Sequence, residues 1–66
     1  MNVGKCIKVA LAQRDLNQTQ LAAQMKCTQV WINRLANSRS ASMATVESLA
    51  AALNMKVSDF LALGED

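Results

Sequence analysis

A chain of 66 residues has room for one domain, residues 1–66, near the lower limit at which an apolar core holds without disulfides, metals or a partner subunit. Dimerisation is therefore expected on stability grounds alone. Histidine is absent and the two cysteines, Cys6 and Cys27, lie far apart, which excludes a Cys-x-x-Cys redox motif and a Cys/His zinc set within one chain. No metal or cofactor is expected, and the thiols read as small reduced hydrophobes.

The hydrophobic fraction of 52% with only 3% aromatics, and no proline, describes Ala- and Leu-rich helices, so the expected class is all-α. No apolar run approaches the ~20 residues of a membrane span, and MNVGKCIKVALAQRD lacks the profile of a signal peptide. The expected compartment is cytoplasmic, with no membrane partner. A net charge of +2 conceals an asymmetry: residues 1–46 carry six cations against Asp15 alone, whereas residues 47–66 carry Lys56 against four acids. One end of the chain is suited to polyanions.

Val3, Ile7, Ala10 and Leu11 recur at helical spacing, which predicts a first helix from Gly4 to about Arg14, ended by Asp15-Leu16. Asn17 then stands as an N-cap with Gln20 three residues on, a capping box for a second helix whose apolar stripe is Leu21, Ala22 and Met25. Only Lys26-Cys27 separates it from Thr28, which caps a third helix with a buried stripe of Ile32 and Leu35; Trp31 reads as core filler. Two helices this short need a scaffold. After the small polar loop ANSRSASM, Val46, Leu49, Ala50 and Leu53 fall at i, i+3, i+4 and i+7 and predict that scaffold helix from about Met43 to Leu53. Asn54 terminates it, and Ser58 is expected to cap a last short helix carrying Phe60, Leu61 and Leu63.

Two short helices joined by a tight turn, about residues 17–36, form a helix-turn-helix pattern. Leu16-Asn17-Gln18-x-x-Leu21-Ala22, Thr28-Gln29-x-x-Ile32-x-x-Leu35, Asn37-Ser38-Arg39 and Val46-x-x-Leu49-Ala50-x-x-Leu53 together resemble the Cro and phage-repressor family of helix-turn-helix proteins, from about Ile7 to Leu61. That resemblance implies a compact five-helix, lambda-repressor-like domain that binds double-stranded DNA as a homodimer on a nearly palindromic operator. It departs from the family at Lys26 and Ser38, where glycine is common, and at Leu11 and Ala36, where an ion pair between the first and third helices is frequent. A left-handed backbone at Lys26 would cost roughly 1 kcal/mol, and Leu11 and Ala36 should meet through an apolar contact instead.

By position, the resemblance assigns base reading to Thr28, Gln29, Val30 and Arg34. Their chemistry suits it: a glutamine amide pairs with adenine, a valine packs on a thymine methyl, and an arginine grips guanine or a phosphate. Asn17 and Gln18, at the start of the second helix, and Asn37 and Arg39, after the third, match family positions on the DNA backbone. Met55, Val57, Phe60 and Leu61 are the candidate dimer interface. A Cro-like repressor is the leading reading, with a restriction-modification controller or an antitoxin built on the same domain as alternatives. From another class, a protein-interaction module would use the same C-terminal apolar residues, but it would have no reason to keep residues 16–46 free of carboxylates, as they are. An enzyme is disfavoured by the missing histidine, the absence of a glycine-rich phosphate loop, and too little chain to enclose a pocket for a small ligand.

Overall fold

The computed structural model describes residues 2–65, and within them the chain forms five helices and no strand. They are α1 (Val3–Gln13), α2 (Gln18–Met25), α3 (Gln29–Ala36), α4 (Met43–Ala52) and α5 (Val57–Ala62). The all-α, five-helix expectation is met, with ends within a residue or two of those read from the sequence.

Four of the helices start on a side-chain cap. Asn2 Oδ1 accepts from the Lys5 amide, Asn17 closes a full capping box with Gln20, Thr28 accepts from the Trp31 amide, and Ser42 accepts from the Thr45 amide. Each supplies an acceptor to a first-turn N–H that has no partner within its own helix. The fifth start corrects the sequence reading: Lys56, not Ser58, is the cap residue of α5, and it makes no side-chain cap hydrogen bond. Ser58 instead lies inside the first turn of that helix.

Helices α1, α2 and α4 all end in the same way, without glycine. Asp15, Lys26 and Asn54 adopt φ of 54°, 56° and 57°, and the next amide in each case reaches back to a carbonyl five residues earlier: Leu16 to Leu11, Cys27 to Ala22 and Met55 to Ala50, at 2.9 to 3.0 Å. This is the Schellman arrangement, which satisfies orphan carbonyls and turns the chain sharply. The left-handed backbone expected at Lys26 is present, whereas Ser38 keeps a negative φ.

A single core collects one stripe from every helix. Val3, Ile7, Ala10 and Leu11 of α1, Leu21 and Ala22 of α2, Ile32 and Leu35 of α3, Val46, Leu49 and Ala50 of α4 with Leu53, and Phe60 of α5 are buried, and no polar side chain among the described residues is buried with them. Leu11 and Ala36 both sit in this core, so an apolar environment stands where an ion pair would have needed desolvation. Trp31 packs against it, half-buried. Helix α3 rests on α1 and α2, α2 also contacts α4, and α5 closes over α1 and α4. Arg14 adds a polar tie, its Nε–H donating to the Leu53 carbonyl at 2.8 Å, where a cation at the end of α4 complements the helix dipole. The consequence for function is that α3 is gripped on its inner side and bare on its outer side.

Candidate nucleic-acid interface

Viewed down its axis, α3 divides cleanly. Ile32, Leu35, Ala36 and half-buried Trp31 face inward, while Gln29, Val30, Asn33, Arg34 and the following Asn37 are exposed. At 3.6 residues per turn the five exposed positions fall within about 140° of the circumference, one continuous outer face. Val30, within this face, is 70% exposed, an apolar side chain held in water among amides and a guanidinium. Folding alone gives no reason to place a valine there.

Two polar hollows mark the ends of this face. At the start of α3, Gln29, Val30 and Asn33 share a hollow with Gln18, the first residue of α2. The capping box commits Asn17 Oδ1 to the Gln20 amide at 2.8 Å and its own amide to Gln20 Oε1 at 2.9 Å, so Asn17 has only its side-chain N–H groups to offer an anion. At the far end, Asn37 Nδ2 donates to the Asn33 carbonyl at 2.9 Å and Ser38 Oγ to the Arg34 carbonyl at 3.0 Å, stapling the loop to the last turn of α3. Arg39 follows, exposed, its carbonyl held by the Val3 amide at 3.0 Å.

Thr28, also exposed, caps α3. Its hydroxyl oxygen already accepts from the Trp31 amide at 3.1 Å, which leaves the O–H as a donor toward an approaching anion.

A family model described as the Cro/C1-type HTH DNA-binding domain matches residues 6–66, nearly the whole chain. The chain belongs to that family. No curated protein and no solved structure matches it significantly. Double-stranded DNA is accordingly the partner class of this Cro/C1-type domain. Among the described residues, no helix is long and apolar enough to cross a membrane.

The C-terminal residues divide differently from the sequence reading. Met55, Val57 and Leu61 are half-buried and reach the surface, but Phe60 is fully buried. Phe60, the largest apolar side chain of α5, is drawn into the core, while its neighbour Leu61 stays at the edge. Phe60 is removed from the candidate dimer interface.

Two features of this candidate surface are not legible in the residues named from the sequence. Asn33 belongs to the outer face of α3, which the i, i+4 spacing from Gln29 would have revealed. Lys5 and Lys8 of α1, with Asn2, line a hollow with Asn37, Ser38 and Arg39, a meeting of segments more than 25 residues apart that no local pattern encodes.

Proposed function

We propose that this domain is a sequence-specific transcription regulator, a Cro-like repressor that binds a nearly palindromic operator as a homodimer with α3 in the major groove. The observation that carries the reading is the outer face of α3, where Gln29, Val30, Asn33 and Arg34 stand exposed and free of carboxylates. In the groove, a glutamine or asparagine amide meets adenine N6 and N7, valine covers a thymine methyl, and arginine spans guanine O6 and N7. Thr28 contributes a base edge or phosphate contact from the cap.

Asn17 and Gln18 hold the backbone at one end of the reading helix, and Asn37 and Arg39 hold it at the other. These contacts fix register and orientation, whereas α3 supplies sequence preference. Two copies joined through Met55, Val57 and Leu61 would place their reading helices about 34 Å apart, one turn of B-DNA. Occupation of the site excludes polymerase from it.

The test is the pattern of loss across DNA sequences. Gln29→Ala and Arg34→Ala should each weaken the specific site by about 1–3 kcal/mol and relax preference at one base position, with little change on random duplex. Equal losses on specific and random DNA would refute base reading by those side chains.

A further inference from the structure

Of the two large apolar side chains that the described residues leave in water, Val30 is the more exposed, and it sits on the outer face of α3. It shares a hollow with Gln18, Gln29 and Asn33 and is the one apolar residue among those four. Ile32, Leu35 and Ala36 anchor the opposite side of the helix in the core, so the helix cannot roll to bury Val30. An amide-rich face that admits one branched apolar side chain suits a methyl group on a base edge. We propose that Val30, with Arg34 one turn on, makes binding depend on cytosine methylation: a 5-methylcytosine followed by guanine is bound more tightly than the same step without the methyl group. The proposal rests on α3 being the reading helix.

Methylation enters through the chemistry of the groove. The C5 edge of a pyrimidine carries a methyl group in thymine and a hydrogen in cytosine. 5-Methylcytosine places its methyl group where thymine does, yet keeps the amino donor and the base pairing of cytosine. A valine side chain has no polar atom, so it responds to the methyl group and not to the base that bears it. The amides around it exchange hydrogen bonds, which a methyl group at C5 leaves unchanged. Valine is also stiff: in a helix it keeps one strongly preferred rotamer, so little side-chain freedom is lost on contact.

Arg34 selects the step. It follows Val30 by four residues on the same exposed face, about 6 Å along the axis. Helical side chains lean toward the N-terminus, so the guanidinium returns over the turn that carries Val30. Successive bases on a strand rise by about 3.4 Å, which puts a guanine gripped by Arg34 beside the pyrimidine under Val30. The guanidinium is planar and weakly hydrated, so its face tolerates the methyl group while its edge holds guanine O6 and N7. Thymine followed by guanine and 5-methylcytosine followed by guanine both satisfy the pair of residues, whereas bare cytosine leaves Val30 without its contact.

The experiment measures wild type and Val30→Ala on the selected operator with each thymine replaced in turn by uracil, which lacks only the methyl group. Val30 is exposed and alanine favours the helix, so the variant should fold, which circular dichroism checks. One position should cost wild type about fourfold in affinity per half-site, the worth of one buried methyl group, and cost Val30→Ala nothing. The pyrimidine there is then made cytosine opposite guanine, either bare or C5-methylated. Wild type should favour the methylated duplex by about fourfold per half-site, equally at low and high salt because an apolar contact releases no counterion. Val30→Ala should bind the two alike. Replacing the following guanine by adenine should weaken wild type and leave Arg34→Ala unaffected. Equal binding of methylated and bare cytosine by wild type overturns the proposal, and so does a preference that survives in Val30→Ala; equal losses at the guanine would remove Arg34 from the step. Failure of the parent reading looks different: no duplex is enriched, or Gln29→Ala loses equally on operator and random duplex, whatever the methyl group does.

Discussion

The Gly4 amide donates to the Ser38 carbonyl at 2.8 Å, and a Cβ on Gly4 would stand 2.7 Å from that same oxygen and nearer still to the carbonyl oxygen of Ala36. Both obstacles are backbone, which cannot rotate aside. Replacing glycine by alanine inside a helix ordinarily gains about 0.5–1 kcal/mol, but overpacking of this kind costs about 1–3 kcal/mol. Gly4→Ala should therefore destabilise the domain on balance, seen as a lower urea midpoint, and should weaken DNA binding through displacement of Arg39. A stabilised variant with unchanged affinity would show that the loop moves freely.

Lys26 presents the opposite case. Its φ of 56° is left-handed and is followed by a satisfied Schellman bond from Cys27 to Ala22, so only the side chain objects to the conformation. Lys26→Gly should raise stability by up to about 0.5 kcal/mol, the left-handed strain of roughly 1 kcal/mol less the entropic cost of glycine. Asn54→Gly should gain less, because asparagine tolerates that region better. Thermal unfolding of the two variants ranks them directly, and a larger gain at position 54 would contradict the strain argument.

Adjacent residues in α5 should respond differently to charge. Phe60 is fully buried, and Phe60→Asp places a carboxylate in an apolar core, so the domain should unfold or lose most of its stability. Leu61 is half-buried, and Leu61→Asp should leave a folded chain with weakened self-association. Circular dichroism with sedimentation separates the two effects. A folded Leu61→Asp dimer as tight as wild type would move the interface elsewhere.

Burial pushes the Cys6 thiol above its ordinary value near 9, and its Sγ–H points to the Leu61 carbonyl at 3.7 Å. The folded state thus holds this proton more tightly than the unfolded state does. Stability from this group is complete below the ordinary thiol value and declines as pH rises above about 9. The urea midpoint should fall between pH 8 and pH 10, and the fall should be smaller in Cys6→Ala. An equal fall in both proteins would remove Cys6 from the alkaline response. At neutral pH, a thiol reagent should modify half-buried Cys27 before Cys6.

What could be read from the sequence was what depends on neighbours along the chain. The Asn17–Gln20 capping box, the Thr28 cap and the i, i+3, i+4, i+7 stripe of α4 are each local, and each appears in the structure. Local chemistry also pointed to Asn54 as a stop, whereas the left-handed turn at Lys26 was expected only from the family resemblance. It failed where two physical demands competed within one turn. Ser58 has a good capping side chain, yet the cap of α5 falls two residues earlier, at Lys56, and Phe60 lies in the core. The outer face of α3 was partly legible, since Gln29, Val30 and Arg34 were named and Asn33 was not. The packing of Gly4 on the loop after α3, and the place of Lys5 and Lys8 beside that loop, depend on α1 meeting a segment some 30 residues away, which periodicity does not encode.

The central claim is that the outer face of α3 reads a specific duplex in a dimer. Its most direct test is selection of the folded protein on a random duplex library at physiological salt, followed by binding of the enriched site against scrambled DNA. The expected result is an inverted repeat with half-sites about one helical turn apart, bound at least ~1,000-fold more tightly than scrambled duplex. Enrichment of no sequence, from a sample shown to be folded, would contradict it.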